Sequence, residues 1–464
     1  MAQPHPSSPA LLKSLSLLDG TTLVMGSMIG SGVFIVSADI SRQVQSPGLM
    51  LLTWVVTAVL TLIAALSYGE LSAAMPKAGG QYIYLREAFG PLSGFLYGWT
   101  FFTVIQTGTI AAVAVAFAKF LGYFVPAVST QVYLVKLGPV GLTTQMAVAI
   151  AVIVFLTWLN TLGVRTGAMV QNVFTIAKVG ALLGLIALGV MLGRRPEAME
   201  ANFTEFWRAP GSLWDMVRLT GVAMVGALFS SDSWHSVTLA AGEIKNPKRD
   251  LPLSLAMGVG VVSVLYLGCN LVYLMALPLA GIMSAPEDRV ATAVIAQIMG
   301  PGATGVMAAA VMVSTFGCIN GLVLTGARVY YAMAEDGLFF KAVKKVDAVH
   351  HTPYVSLWVQ CGWACALTLT GRYNDLLDYV IFAVLLFYIL TIAGLFVLRR
   401  TKPEMERPYK AFGYPLLPAI YIVAAGVIEA LLLIYKPSYT WPGLIVVMIG
   451  IPVYMMWRGT RKEV

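Results

Sequence analysis

The chain has 464 residues, 58% of them hydrophobic and 11% charged. Soluble domains carry about 25% charged residues, so a fold facing water on all sides is excluded. The net charge of +8 does not mark a nucleic-acid binder, because Lys and Arg sit in short stretches between apolar runs, which is a membrane-topology pattern.

With lipid as the solvent, backbone polar groups must be satisfied inside helices or a closed barrel. The apolar runs are roughly 20 residues long, whereas barrel strands would alternate over about 10. The expectation is an all-α polytopic membrane protein with twelve transmembrane helices. They fall near 16–42, 47–75, 90–124, 145–163, 168–193, 214–240, 253–279, 302–334, 353–371, 375–399, 414–435 and 440–457. Residues 1–14 lack the apolar core of a cleaved signal, which leaves insertion to the first span. With both termini cytoplasmic, inner segments hold 19 of the 30 Lys and Arg, densest at 245–249, 341–345 and 399–410. Outer segments hold ten, among them Arg372, and Lys178 lies within a span. The outer connection near 194–213 carries Asn202-Phe203-Thr204, a glycosylation sequon of little weight by itself. Cys269, Cys318, Cys361 and Cys365 lie in apolar segments and read as small buried hydrophobes.

Two spans contain sequences that interrupt a helix. The first holds Gly26-Ser27-Met28-Ile29-Gly30-Ser31-Gly32-Val33-Phe34, with three glycines that each cost a helix about 1 kcal/mol against alanine. Close packing through Gly26 and Gly30 is the plain alternative, but local unwinding is favoured, since glycine permits non-helical backbone and close approach of a ligand. The sixth span holds Phe229-Ser230-Ser231-Asp232-Ser233-Trp234-His235-Ser236. An Asp at a span centre costs about 2.5–3.5 kcal/mol and needs a partner or a water-filled cavity. The plain reading is an Asp–His or Asp–Ser pair that knits helices together.

The interruptions lie five spans apart, the pattern of two five-helix repeats of opposite topology, and such paired breaks point to a transporter's binding site. The repeats would cover 16–193 and 214–399, with two further helices in 414–457, all in one transmembrane domain spanning 1–464. An amino acid's carboxylate suits the N–H groups of Ser31, Gly32 and Val33 at a half-helix N-terminus, with Gly30 beside them. Its ammonium suits the carbonyls of Ser27, Met28, Ile29, Phe229 and Ser230.

At these residues the chain resembles the amino acid–polyamine–organocation superfamily, and within it the L-amino acid transporter family, over nearly its full length. The resemblance also rests on Tyr68-Gly69-Glu70-Leu71, the run Pro76-Lys77-Ala78-Gly79-Gly80-Gln81-Tyr82, and Arg86-Glu87-Ala88-Phe89-Gly90. Further matches are Gln171-Asn172-Val173-Phe174-Thr175, Gly242-Glu243-Ile244-Lys245-Asn246-Pro247-Lys248-Arg249, Lys402-Pro403-Glu404 and Arg407-Pro408. It implies a leucine-transporter-like 5+5 inverted repeat with discontinuous first and sixth spans, alternating access and sodium-independent amino acid exchange. By the same resemblance Ser27, Ile29, Ser31 and Gly32 hold substrate, Phe229 is an aromatic gate and Asp232 lines the sixth span. Animal members join a heavy chain through a cysteine in the loop after the third span. Residues 124–144 contain none, so no disulfide-linked heavy chain is expected. Several relatives carry Asn where this chain has Val384, and Asp232 replaces a small residue of many large-neutral transporters, which puts their substrate range in doubt here.

Lys178 lies about mid-bilayer, too deep to snorkel, so its ammonium must meet backbone carbonyls at a helix break or lose its proton. It either stands as a fixed cation where sodium-coupled relatives hold sodium or couples transport to protons. Cys318, Asn320 and Gln106 are candidates to reach the central cavity, and each is equally suited to interhelical packing. Tyr82 and Tyr84 fit a membrane interface as well as a gate. Glu243, Glu70 and Arg86 read as gate or loop-anchoring ion pairs. There is no Walker A sequence, zinc spacing or dinucleotide signature, hence no expected cofactor, metal or ATP motor and no candidate enzyme chemistry. The preferred expectation is a sodium-independent antiporter of neutral amino acids. The rivals are a proton-coupled symporter or a cationic amino acid or polyamine carrier, and then a channel or intramembrane enzyme. The partners expected are the substrate and the lipid bilayer. Short termini and the absent loop cysteine suggest a bacterial inner membrane.

Overall fold

The computed structural model describes residues 11–137, 140–208, 211–369 and 373–459. Of the basic residues counted above, Arg372, Arg461 and Lys462 lie outside the described residues. Each expected span is occupied by helix. The first divides into α1 (Leu17–Met28) and α2 (Gly32–Val44), which meet at 40°. There follow α3 (Pro47–Ala74), the short α4 (Gln81–Phe89) and α5 (Pro91–Phe124). A small antiparallel hairpin, β1 (Tyr133–Leu137) with β2 (Val140–Thr143), places Tyr133 opposite Thr143 in a connection for which no strand was expected. Next come α6 (Thr144–Thr161), α7 (Val164–Leu192), the loop helix α8 (Pro196–Phe203) and α9 (Leu213–Ser230). One turn, α10 (Ser236–Leu239), precedes α11 (Pro247–Ala276), and α12 (Leu279–Met283) and α13 (Val290–Met299) lead to α14 (Thr304–Glu335). The chain ends in α15 (Tyr354–Thr368), α16 (Tyr373–Thr401), α17 (Leu416–Tyr435) and α18 (Pro437–Gly459).

Among the described residues ten helices are long and apolar enough to cross a membrane, and the bent α1–α2 pair makes eleven. The expectation of twelve is not reached because α15, with 15 residues, is short for a bilayer needing about 20. The sixth span also departs from its expected extent of 214–240. Regular helix stops at Ser230, since Ser, Asp and His side chains compete for backbone groups and Ser233 sits in the left-handed region at φ 64°.

The helix starts follow local rules. Ser16 and Asp19 form a reciprocal capping box on α1, as do Ser212 and Asp215 on α9. α5 contains a π-turn at Phe101–Ile105, where Thr107 Oγ1 donates to the Phe102 carbonyl at 2.6 Å. Such bulges concentrate at functional sites, and the Phe101 ring lies 6.4 Å from that of His235. In the interior α1 packs among α7, α11 and α14, while α2 packs on α9. The two interrupted spans therefore sit at the centre, with α3, α5 and α16 around them.

Asn202 corrects the glycosylation reading. It is buried, donates to the Leu274 and Leu277 carbonyls at 2.7 and 2.8 Å, and accepts from Leu279 N. A side chain so engaged offers no amide for modification. Cys269, Cys318 and Cys361 are buried, as small apolar side chains would be.

Candidate functional site

The first break occupies Ile29, Gly30 and Ser31. Ile29 has φ −77° and ψ 90°, outside helical values, and Gly30 N turns back to the Met28 carbonyl at 2.9 Å. Carbonyls that a helix would have used are left for other donors. Lys178, the middle residue of α7, is one such donor: its Nζ donates to the carbonyls of Gly26 at 2.7 Å and Ile29 at 2.7 Å in the break, and to that of Ser314 on α14 at 3.1 Å. An ammonium has three N–H donors, and here each has an acceptor. The lysine thus meets the carbonyls that its depth required.

The expectation that the break would offer free carbonyls is not met in this conformation. Ser27 O accepts from Cys318 Sγ at 3.0 Å, and Ile29 O and Gly30 O accept from Ser314 Oγ at 3.1 and 2.9 Å. Met28 O and Ser230 O both lie 3.0 Å from the Tyr266 hydroxyl, which bridges the two breaks from α11. Phe229 O accepts from Asp232 N at 3.2 Å, closing the last turn of α9. The N–H groups of Gly32 and Val33 belong to the first turn of α2, which has no intrahelical acceptors. These donors lie beside the sixth break, because a Cβ on Gly32 would stand 2.6 Å from Ser230 Cβ and 2.8 Å from its Cα. Ser31 and Phe229 are buried there too.

The sixth break is built from side chains. Asp232, 6% exposed, accepts from the Tyr388 hydroxyl of α16 at 2.6 Å. The same hydroxyl is 2.7 Å from His235 Nδ1. The Asp–His pairing read from the sequence therefore runs through a tyrosine, while Ser233 Oγ reaches Asp232 Oδ2 at only 3.5 Å. A cavity of about 20 Å³, room for roughly one water molecule, touches Asp232, Ser231, Tyr388, Val384, Thr61 and Tyr421. That cavity has no room for an amino acid.

Asn320 does not join this site. Its amide donates to Gly167 O and Gln171 Oε1, both at 3.0 Å, and accepts from Asn160 at 2.9 Å. These bonds tie α6, α7 and α14 together, and they consume the side chain. Gln106 likewise donates to the Leu322 carbonyl at 2.7 Å. Cys318 does reach the first break, since a Cβ on Gly30 would lie 3.2 Å from its sulfur.

On the face that carries the end of α14, acidic residues from the quoted motifs are locked in ion pairs. Glu243 pairs with Arg328 at 2.7 Å, both side chains at most 1% exposed, and not with its basic neighbours in sequence. Removing one partner of so buried a pair would cost about 3–5 kcal/mol. Glu70 accepts from Arg399 at 2.9 and 2.5 Å and from Ala411 N at 2.7 Å, and Arg407 lies 3.3 Å away. Arg86 and the Tyr82 hydroxyl both bond Asp336. Lys402 beside Glu87 holds that carboxyl below its ordinary range. Ser14 and Leu15 donate to Glu243 O, and Trp457 donates to Gly337 O, so both ends of the described chain reach this face.

Tyr388, Tyr266, Ser314 and Arg328 were missed as partners. The tyrosines and the serine lie in apolar runs and carry no signal. Arg328, a charge inside an apolar stretch, could have been flagged by cost alone.

Residues 15–454 match the amino acid permease family, and the chain belongs to it. Over 463 residues it is 29% identical to Asc-type amino acid transporter 1 of Mus musculus, covering 98% of this chain and 83% of that one. It is 29% identical over 465 residues to large neutral amino acids transporter small subunit 2 of Rattus norvegicus, covering 98% and 83%. Against b(0,+)-type amino acid transporter 1 of Mus musculus the identity is 30% over 434 residues, covering 93% and 84%. The protein is therefore a multi-pass amino acid transporter of the amino acid–polyamine–organocation superfamily, similar to its L-amino acid transporter branch, and not an enzyme.

Proposed function

We propose that the protein is a sodium-independent exchanger of neutral amino acids that works by alternating access in a plasma membrane. One observation carries the reading: the three-carbonyl seat of Lys178. A permanent ammonium held between α1, α7 and α14 stands where sodium-coupled transporters of the resembled fold would hold their ion, which removes the need for sodium. Backbone N–H groups at the start of α2 take the substrate carboxylate. Carbonyls of both breaks take the ammonium once Tyr266 and Cys318 yield them. Two repeats, 16–193 and 214–399, followed by 414–457, account for breaks five spans apart. Both termini are cytoplasmic on the Lys and Arg bias, and no disulfide-linked heavy chain is expected from a 124–144 loop without cysteine.

The second reading, a proton-coupled or cationic amino acid carrier, is favoured by Asp232 in the sixth break. Proteoliposome uptake separates the two. With labelled neutral and cationic amino acids, the exchanger shows uptake that needs internal amino acid and ignores imposed sodium or proton gradients. Robust acid-driven uptake into empty vesicles would overturn it.

A further inference from the structure

Asp232 brings a negative charge to a break that, on the reading above, receives neutral amino acids. The geometry around it accounts for that. Asp232, His235 and Tyr388 are 6%, 3% and 5% exposed. A phenol has one hydrogen and a carboxylate has none to give, so the 2.6 Å bond spends the Tyr388 proton on Asp232 Oδ1. The phenolic oxygen then faces His235 Nδ1 at 2.7 Å as an acceptor, which assigns the imidazole proton to Nδ1. The rings of Tyr68, Trp234 and His235, with centroids 5.9, 5.1 and 5.5 Å from that of Tyr388, hold the phenol in place. The small cavity beside Asp232 and Tyr388 also touches Ser231 and Val384.

We infer that Tyr388, anchored by His235, is a specificity-determining cap that satisfies Asp232 and so keeps the side-chain subsite for uncharged amino acids. The inference rests on the reading that substrate binds between the two breaks. Without the hydroxyl, a buried carboxylate is left short of donors, a state costly enough to be relieved by any cation that can enter. A lysine or ornithine side chain brings that cation, and an alanine or leucine side chain does not. With the cap in place, an entering ammonium must instead displace a bond already made inside a ring cage. Discrimination by groups left unpaired is stronger than discrimination by size.

The test compares wild type, Tyr388→Phe and His235→Leu in proteoliposomes loaded with unlabelled alanine, with labelled alanine or lysine outside. The reading is the lysine-to-alanine ratio of kcat/KM, which a merely structural role would leave unmoved even if both rates fell. Tyr388→Phe is expected to raise the ratio by about tenfold or more, a difference of roughly 1.4 kcal/mol. His235→Leu removes only the anchor and should raise it by about threefold. If Tyr388→Phe is not monodisperse after purification, His235→Leu decides by the same ratio. An unchanged or lowered ratio in every variant that folds, with wild-type alanine exchange intact, overturns the cap and leaves the exchanger standing. A wild type that exchanges no amino acid overturns both.

Discussion

The two breaks solve the same physical problem with different materials. At Ile29–Ser31 the chain opens its backbone and fills the freed carbonyls from neighbouring helices: Lys178 on α7, Tyr266 on α11, Ser314 and Cys318 on α14. At Ser231–His235 the break carries polar side chains of its own, Asp232 and His235, which meet on the Tyr388 hydroxyl of α16. On the function proposed above, the first break offers the groups that recognise what every amino acid shares. The second offers groups whose chemistry depends on which residues stand there, so it is suited to telling one side chain from another. Tyr266 joins them, with one hydroxyl 3.0 Å from Met28 O and from Ser230 O.

The largest effect expected on this contrast comes from Lys178→Ala. It takes a charged donor from three buried carbonyls, at Gly26, Ile29 and Ser314, in a setting where an unsatisfied polar group costs about 1–3 kcal/mol. Initial exchange rates in proteoliposomes should fall by about a hundredfold or more, with no rescue by added sodium. A variant exchanging at the wild-type rate would remove the lysine from the mechanism and with it the distinction drawn for the first break.

Much of this arrangement is legible from sequence, and the failures have physical causes. Lipid forces backbone groups inward, so α3 at Pro47–Ala74 matches the run read at 47–75. The first break announces itself through Gly26, Gly30 and Gly32, and Lys178 through the cost of a charge at mid-bilayer. The sixth span is overextended on sequence, because the largely apolar run Val237 to Ala240 continues the pattern, while the structure leaves regular helix at Ser230 and regains only the single turn α10. Asn320 misleads because a polar side chain inside a bundle can serve a cavity or another helix, and pattern does not separate the two. Tyr388 is invisible because a tyrosine in an apolar run is ordinary; only the arrival of α16 beside Asp232 makes its hydroxyl matter. The ion pairs show the same limit. Glu243 is evident as a charge, but its partner Arg328 is 85 positions away.

A smaller effect tests whether the breaks must touch. Gly32 sits where any Cβ would press on the backbone of Ser230, 2.8 Å from its Cα, and backbone yields less easily than a side-chain tip. Overpacking of this kind costs about 1–3 kcal/mol. Gly32→Ala should therefore move α2 off the end of α9 and raise the KM for exchange by about tenfold, for alanine and leucine alike. An equal loss for both identifies the first break as the reader of the shared zwitterion. A loss confined to one would mean that Gly32 shapes side-chain choice, and the contrast between the breaks would be wrong.

The smallest effect concerns Cys318, whose thiol holds Ser27 O at 3.0 Å. A substrate ammonium that uses this carbonyl has to displace the thiol first. A serine hydroxyl is the better donor and so the better competitor, whereas alanine leaves the carbonyl waiting. With a neutral hydrogen bond worth about 0.5–1.5 kcal/mol net, Cys318→Ser should raise KM by about threefold and Cys318→Ala should lower it by about twofold. Opposite signs are the informative result, because general loosening of the packing at Gly30 would shift both variants the same way. If serine and alanine both match the wild type, Ser27 O is not a ligand. The substrate ammonium must then be held elsewhere along the two breaks.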